Sequence, residues 1–247
     1  MGRVDERVFL AAADNAAWCR AVCRLHGAPG RLGPRVWASG RRTPPLYPDA
    51  VTLSPDAVAA DVLAGIDTEA AGASVKDSFA RLDLAPHGFD VLFEAQWIHR
   101  PAHPPTPAPP PAASGGPVWR EADGPEEFAR WLHARGDGDG SGPLTPGLLA
   151  DPAVTVLGGW TGGPGDGGGP VAGVIAHRGE GVAAVGLSNL FAADGCTADA
   201  AWAGAVAAVS ARFPGLPLVG YEHGPDLAAA LRHGFAPAGP LRVWLAR

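Results

Sequence analysis

The chain predicts an α/β (α+β) fold, a mixed central sheet with flanking helices, arranged in two lobes. Three observations carry this expectation. From Pro117 onward, strand-like and helix-like stretches follow one another as β, α, α, β, β, β, α, β, α, β. A meander followed by two β–α crossings packs as a mixed sheet with helices on both faces. The stretch PAHPPTPAPPPAASGGP, Pro101 to Pro117, is Pro-rich and then Gly-rich; it lacks ladder donors and apolar anchors and reads as a linker. Finally, HGF leading to W-x-x-R occurs twice. His87-Gly88-Phe89 leads to Trp97 and Arg100, and His233-Gly234-Phe235 leads to Trp244 and Arg247. The expected organisation is therefore 1–100, a linker at 101–117, and 118–247. The HGF pair reads either as a duplicated architecture or as two independent helix ends, each with a cap glycine and a buried aromatic. Excision of Pro104 to Ala113 is expected to leave both lobes folded.

Taken in order, Asp14 can cap a helix through NAAWCRAVCRLHG, with Ala17, Trp18, Ala21, Val22 and Leu25 on one stripe. RVWAS and DAVTL read as strands. SPDAVAADVLAGID reads as a helix with Pro55 in its first turn. SVKDSFARL reads as helical, and HGFDVLFEAQWIHR ends in a strand. Beyond the linker, VWREA is a short strand and GPEEFARWLHARG a helix with acids in its first turn. DGDGSG is a loop, TPGLLAD a short helix and AVTVLGGWTG a strand. PVAGVIAHRGEGVAAVGLSNLFA is a hairpin joined around RGEG. Thr197 can cap the helix TADAAWAGAVAAVSARF. The strand LPLVGYE, the helix PDLAAALRHG and the strand LRVWLA close the chain.

Composition narrows the function classes. The sequence has 247 residues, is 47% apolar and carries eight Trp and eight Phe, enough for a sizeable core. Its formal charge is −6 and no Lys/Arg-rich run occurs, which disfavours nucleic acid as the main ligand. No apolar run approaches a membrane span or an export signal, so a cytoplasmic location without membrane partners is expected. Cys19, Cys23 and Cys196 do not make a disulfide framework. Cys19, Cys23 and His26 fall on one helical face. They read as core residues rather than a metal site, because structural zinc usually needs a second distant ligand pair; no metal is expected. GGPGDGGGP lacks the Lys and Ser/Thr of a phosphate-binding P-loop and reads as a turn.

The stretch from Pro117 to Arg247 resembles the GCN5-related N-acetyltransferase (GNAT) family. The resemblance rests on the element order, on the strands flanking TADAAWAGAVAAVSARF, and on DLAAALRHGF…GPLRVWL as the family's last helix, Gly-Phe junction and last strand. Residues 1–100 read as a degenerate copy. The resemblance implies an acyl-CoA-dependent N-acyltransferase, with acetyl-CoA or another acyl-CoA as co-substrate and a small-molecule amine as acceptor. It implies that VGLSNLFA and LVGYE lie parallel and splay apart, leaving the backbone at Leu190, Phe191 and Ala192 free for the pantetheine arm. It also implies that Gly195, Thr197 and Ala198 open the following helix towards the pyrophosphate. Two positions depart from the family pattern: Asp194 stands where the family favours Gln or Arg, and Ala230 where it places a tyrosine acid. These departures keep two alternatives open, a non-catalytic GNAT-like binding protein and an acyltransferase using aminoacyl-tRNA or a carrier protein as donor.

Tyr221, Glu222 and His223 end the strand PLVGYE, where open sheets bind ligands. Glu222 or His223 can deprotonate an ammonium, and Tyr221 can protonate a thiolate. Alternation places Tyr221 and His223 on one face and Glu222 on the other. Ser188 and Asn189 are expected to meet the substrate. Arg41, Arg42, Tyr47, Glu94 and Trp97 are candidates to line a groove between the two halves.

Overall fold

The computed structural model describes residues 4–102, 116–137, 142–162 and 168–247. The core of the linker, most of the DGDGSG loop and the middle of the Gly-rich turn lie outside the described residues. The first helix, α1 (Glu6–Leu25), starts earlier than expected, because Asp5 caps it by accepting from the Arg7 N–H at 2.9 Å. Asp14 is therefore not a cap but a buried residue in mid-helix. Short strands β1 (Arg31–Leu32), β2 (Val36–Ala38) and β3 (Ala50–Thr52) follow, then α2 (Ala59–Leu63).

SVKDSFARL is not helical: it opens with strand β4 (Ser74–Asp77). The Asp77 carboxylate ends the strand by accepting the backbone N–H groups of Phe79 at 3.2 Å and Leu82 at 2.7 Å. A 3-10 turn at Ala85–His87 leads into β5 (Phe89–Arg100). Beyond the linker come β6 (Val118–Glu121), α3 (Gly124–Arg135) and a second 3-10 turn at Pro146–Ala150, where the sequence predicts a short helix. Then follow β7 (Val154–Trp160), β8 (Pro170–His177), β9 (Val185–Ala192) and α4 (Ala198–Arg212). The chain ends with β10 (Leu218–Glu222), α5 (Gly224–Arg232) and β11 (Ala236–Ala246).

Eleven strands among the described residues form one sheet, ordered β1-β2-β3-β4-β11-β5-β10-β9-β8-β7-β6. The two halves interleave: β11 inserts between β4 and β5, and β5 pairs with β10. Helices α1 and α3 pack one face around Trp18, Trp131 and Ile175. Helices α4 and α5 pack the other around Trp202, Val174 and Phe235.

Each half runs antiparallel, antiparallel, parallel through β1–β4 and again through β7–β10. Both HGF glycines have left-handed φ, +86° at Gly88 and +84° at Gly234. In both, the Phe N–H reaches back to close the turn, Phe89 to Leu84 and Phe235 to Ala230, each at 3.3 Å. The spacing from Phe89 to Phe235 is 146 residues, the same as from Ala95 to Leu241, which lie directly opposite each other in the β5–β11 ladder. Even the bulged residues keep that spacing: the ladder skips Leu92 on β5 and Ala238 on β11.

The W-x-x-R motifs break it by one residue, and a one-residue shift reverses the face. Trp97 packs with Val243 and the α1 residues Val8 and Ala11, whereas Trp244 packs with Val62 of α2 on the opposite face.

The ends of the linker lie far apart. Arg100 aligns with Leu218 and Val185 at one end of the sheet, while Val118 aligns with Trp160 at the other, five strand positions away. With strands about 4.8 Å apart and a rise of about 3.3 Å per residue, the straight path is roughly 30 Å. After excision of Pro104 to Ala113, the seven remaining residues reach only about 27 Å. The ten-residue deletion is therefore expected to peel β6 from the sheet and lower the melting temperature. A four-residue deletion within the same segment should be silent; equal melting temperatures for both would show that β6 is not anchored as described.

Candidate functional site

Strands β9 and β10 are parallel neighbours, but pair only at Val185–Leu218 and Gly186–Val219. Beyond them the strands part. On its other side, β9 carries a bulge: Ser188 sits opposite Ile175 and Phe191 opposite Gly173, so Asn189 and Leu190 share one partner position. Asn189 takes a left-handed φ of +54° to make this turn. A bulge leaves backbone groups unpaired and re-aims its side chains.

A cavity of about 270 Å³ opens at the parting. Leu187, Ser188, Asn189 and Leu190 line it from β9, and Tyr221 and Glu222 from β10. Because the sheet is open here, both of these consecutive strand residues reach one cavity although they point to opposite faces. The first half of the chain closes it with Asn15, Trp18 and Cys19 of α1, Tyr47, and Lys76 of β4. Arg135, at the end of α3, completes the wall; it donates to Asn189 Oδ1 at 2.9 Å and pairs with Asp137.

Glu222 is half-buried, and loss of solvation, reinforced by the Asp226 charge, pushes its carboxyl up to about 8. Tyr47 is buried, and burial, with Cys19 and Tyr221 nearby, holds its phenol well above the ordinary tyrosine range. Lys76 Nζ donates to Asn15 Oδ1 at 2.8 Å and lies 4.2 Å from the centre of the Tyr221 ring. The Tyr221 ring also stands edge-on to Trp97 at 5.6 Å. A proton acceptor, two phenols and an ammonium thus line one cavity.

Of the residues expected from sequence, Ser188, Asn189, Leu190, Tyr221 and Glu222 come together. His223 does not join them: β10 ends at Glu222, and His223 is the exposed residue before α5, its ring 5.5 Å from Phe93. Phe191 packs edge-on against Trp131 at 5.0 Å, and Ala192 pairs with Ala172 at the strand end. Gly195, Thr197 and Ala198 lie on the surface at the start of α4. Gly195 has φ +86° with open space where a side chain would stand. Thr197 caps α4 by accepting the Ala200 N–H at 3.1 Å. Asp194 is exposed there, and Asp199 pairs with Arg232 at 3.0 Å and His233 at 3.1 Å. Ala230 is fully buried with Trp202 and Phe235.

In the first half, Tyr47 reaches the site. Arg42 instead holds the buried Asp49 at 2.7 Å, Glu94 pairs with Arg242 on the surface, and Trp97 is buried and donates to the Ser78 carbonyl at 2.8 Å. Cys19 and Cys23 are buried in the core, and the His26 ring bonds to the Pro143 carbonyl at 2.7 Å. Among the described residues, no group of three or more His, Cys, Asp or Glu is placed to hold a metal. No helix among them is long and apolar enough to cross a membrane. Sequence reasoning misses Asn15, Lys76 and Arg135. The only signal is that Lys76 is the single lysine of the chain.

No family model matches the sequence, and no curated protein matches it. Solved structures do. A GCN5-related N-acetyltransferase from Kribbella flavida aligns with a TM-score of 0.59 at 14% identity, covering 95% of each chain. A protein described as an acetyltransferase from the GNAT family, from Novosphingobium aromaticivorans, aligns at 0.51 and 15% identity over 95% of this chain and 97% of that one. A Staphylococcus epidermidis protein described as functionally unknown aligns at 0.50 and 10% identity over 71% and 72%. With its mixed central sheet and flanking helices, the chain has the fold of the GNAT acetyltransferases.

Proposed function

We propose that the chain is an acyl-CoA-dependent N-acyltransferase acting on a small-molecule amine, built from two GNAT-like halves of which the second holds the acyl donor. The observation that carries the reading is the parting of β9 from β10 beside the Asn189 bulge, with Glu222 and Tyr221 at its mouth. Acetyl-CoA is the donor to test first. Its pantetheine arm fits the unpaired backbone at Asn189 and Leu190, and its pyrophosphate fits the open start of α4 at Gly195 and Ala198.

In the reaction, Glu222 takes a proton from the acceptor ammonium. The freed amine attacks the thioester carbonyl, the C–N bond forms, the C–S bond breaks, the thiolate takes a proton from Tyr221, and the second proton shed by the acylated nitrogen restores the Tyr221 phenol. A base near 8 suits an ammonium donor, since general bases work best near the operating pH. Ala230 in the core leaves the acid role to a cavity phenol. Duplication is supported by the repeated strand pairing and by the 146-residue spacing of Phe89 and Phe235 and of the bulges.

A non-catalytic binding role is favoured by one observation, the exposed Asp194 beside the α4 start, where a carboxylate opposes a phosphate. Calorimetry with acetyl-CoA separates the two: micromolar binding supports the enzyme, and no binding at millimolar ligand supports the alternative. Asp194→Arg is expected to tighten acetyl-CoA binding, and Gly195→Glu to weaken it, each by about tenfold from one charge-assisted contact. Gly195→Glu also forces a side chain into φ +86°, so its melting temperature must be followed alongside. Unchanged affinity in both variants would place the donor elsewhere.

A further inference from the structure

Lys76 is a cavity charge that the proposed reaction leaves unused. It is 4% exposed, and its ammonium meets the Asn15 amide oxygen and the Tyr221 ring. Among the described residues, no carboxylate lies within 4.0 Å of it. The other charges nearby are already engaged. Arg135 is held by Asp137 and Asn189. Asp14, beside Asn15 on α1, accepts from the Gly179 N–H at 2.9 Å and pairs with His177 at 3.2 Å. Cys19 is held as a thiol by burial, although Lys76 acts in the opposite direction. Burying an ammonium without a counter-charge is costly, so this cavity favours whatever anion enters it.

Glu222 lines the same cavity, yet it and Lys76 are not paired. Glu222 lies towards the α5 side with Asp226, and Lys76 towards the α1 side with Asn15. A carboxyl group and an ammonium that line one small cavity without pairing match a ligand bearing an ammonium and a carboxylate of its own. Its ammonium would meet Glu222, and its carboxylate would meet Lys76. The volume of about 270 Å³ suits a small molecule rather than a peptide or protein tail.

We infer that the acceptor is an amino-acid-like zwitterion, an amine that also carries a carboxylate, and that Lys76 is the specificity residue that takes the carboxylate while Glu222 receives the amine. This inference rests on the N-acyltransferase reading. Its test compares matched acceptors, a panel of amino acids against the corresponding decarboxylated amines, with acetyl-CoA as donor. The wild type is expected to prefer the carboxylated member of at least one pair by about 10- to 100-fold in kcat/KM, the range for a hydrogen-bonded charge. Lys76→Met should abolish that preference through KM and leave the decarboxylated amine within about threefold; Lys76→Arg should retain most of it.

Equal losses on both acceptors would make Lys76 a general structural or catalytic group and overturn the inference. A wild-type preference for the decarboxylated amines would overturn it as well. Calorimetry with the amino acids alone separates this inference from the reading beneath it. Carboxylate-dependent binding that Lys76→Met removes, without acetyl-CoA binding, would uphold the anion site and sink the acyltransferase reading. Acetyl-CoA binding and turnover with no carboxylate preference would do the reverse. Lys76→Arg also covers the case in which Lys76→Met fails to fold.

Discussion

Glu222→Gln is expected to lower acyl transfer by about 10²- to 10³-fold, the usual contribution of a general base. In the wild type, kcat/KM should rise with pH and level off above about 8, where loss of solvation has moved the Glu222 carboxyl. The variant should lack that rise. The same displacement has a stability consequence of defined sign. The folded state favours the neutral carboxyl, so the group's contribution is fully present below its ordinary value of 4.5 and is lost as pH rises through about 8. A tenfold change in a proton equilibrium corresponds to about 1.4 kcal/mol. A half-buried group with access to water realises only part of the full effect, on the order of 2 kcal/mol. Glu222→Gln should therefore be no more stable than wild type at pH 5 and more stable at pH 9. Denaturant titrations at the two pH values test this. Activity lost without the stability crossover would mean that Glu222 is not desolvated. A variant with wild-type activity would remove it from the mechanism.

Gly186→Ala is expected to be the most damaging small substitution near the site. A methyl group there would overlap the Asp14 carboxylate. Neither side can yield easily. Gly186 is paired on both sides, to His177 of β8 and Val219 of β10. Asp14 and His177 are 2% and 3% exposed, and Asp14 also accepts the Gly179 N–H. Displacing the carboxylate strands a buried histidine and a buried backbone N–H, at about 3–5 kcal/mol. For a chain of this size that is a fall of roughly 6–20 °C in melting temperature. The double variant Asp14→Ala/Gly186→Ala should lose less than the sum of the single losses, because the overlap is gone. A single variant melting within about 3 °C of wild type, below the low end of that range, would show that α1 is not locked to β9 in this way.

Much of the second half is legible in the sequence because its elements are locally self-consistent. Thr197 caps α4, a stripe through Trp202, Val206 and Val209 buries it, and the HGF turns carry glycines that their left-handed φ requires. The carboxyl end of β10 is a readable site because chain direction alone places ligands there. The first half is less legible. β4 reads as a helix because it is buried on both faces and shows no alternation. Asp14 reads as a cap because a buried Asp–His pair depends on a partner 163 residues away. Trp97 and Trp244 look equivalent along the chain, yet a one-residue offset sends them to opposite faces.

The sequence by itself determined the order of strands and helices in the second half, the glycine turns and the polar strand end carrying Tyr221 and Glu222, since these rest on contacts within a few residues. Only the tertiary structure decided that β11 inserts between β4 and β5, and that Tyr47, Lys76 and Asn15 close the cavity opened by β9 and β10. The physical reason is separation along the chain: Lys76 meets Tyr221 across 145 residues, and no local pattern records which distant strand will desolvate a charge.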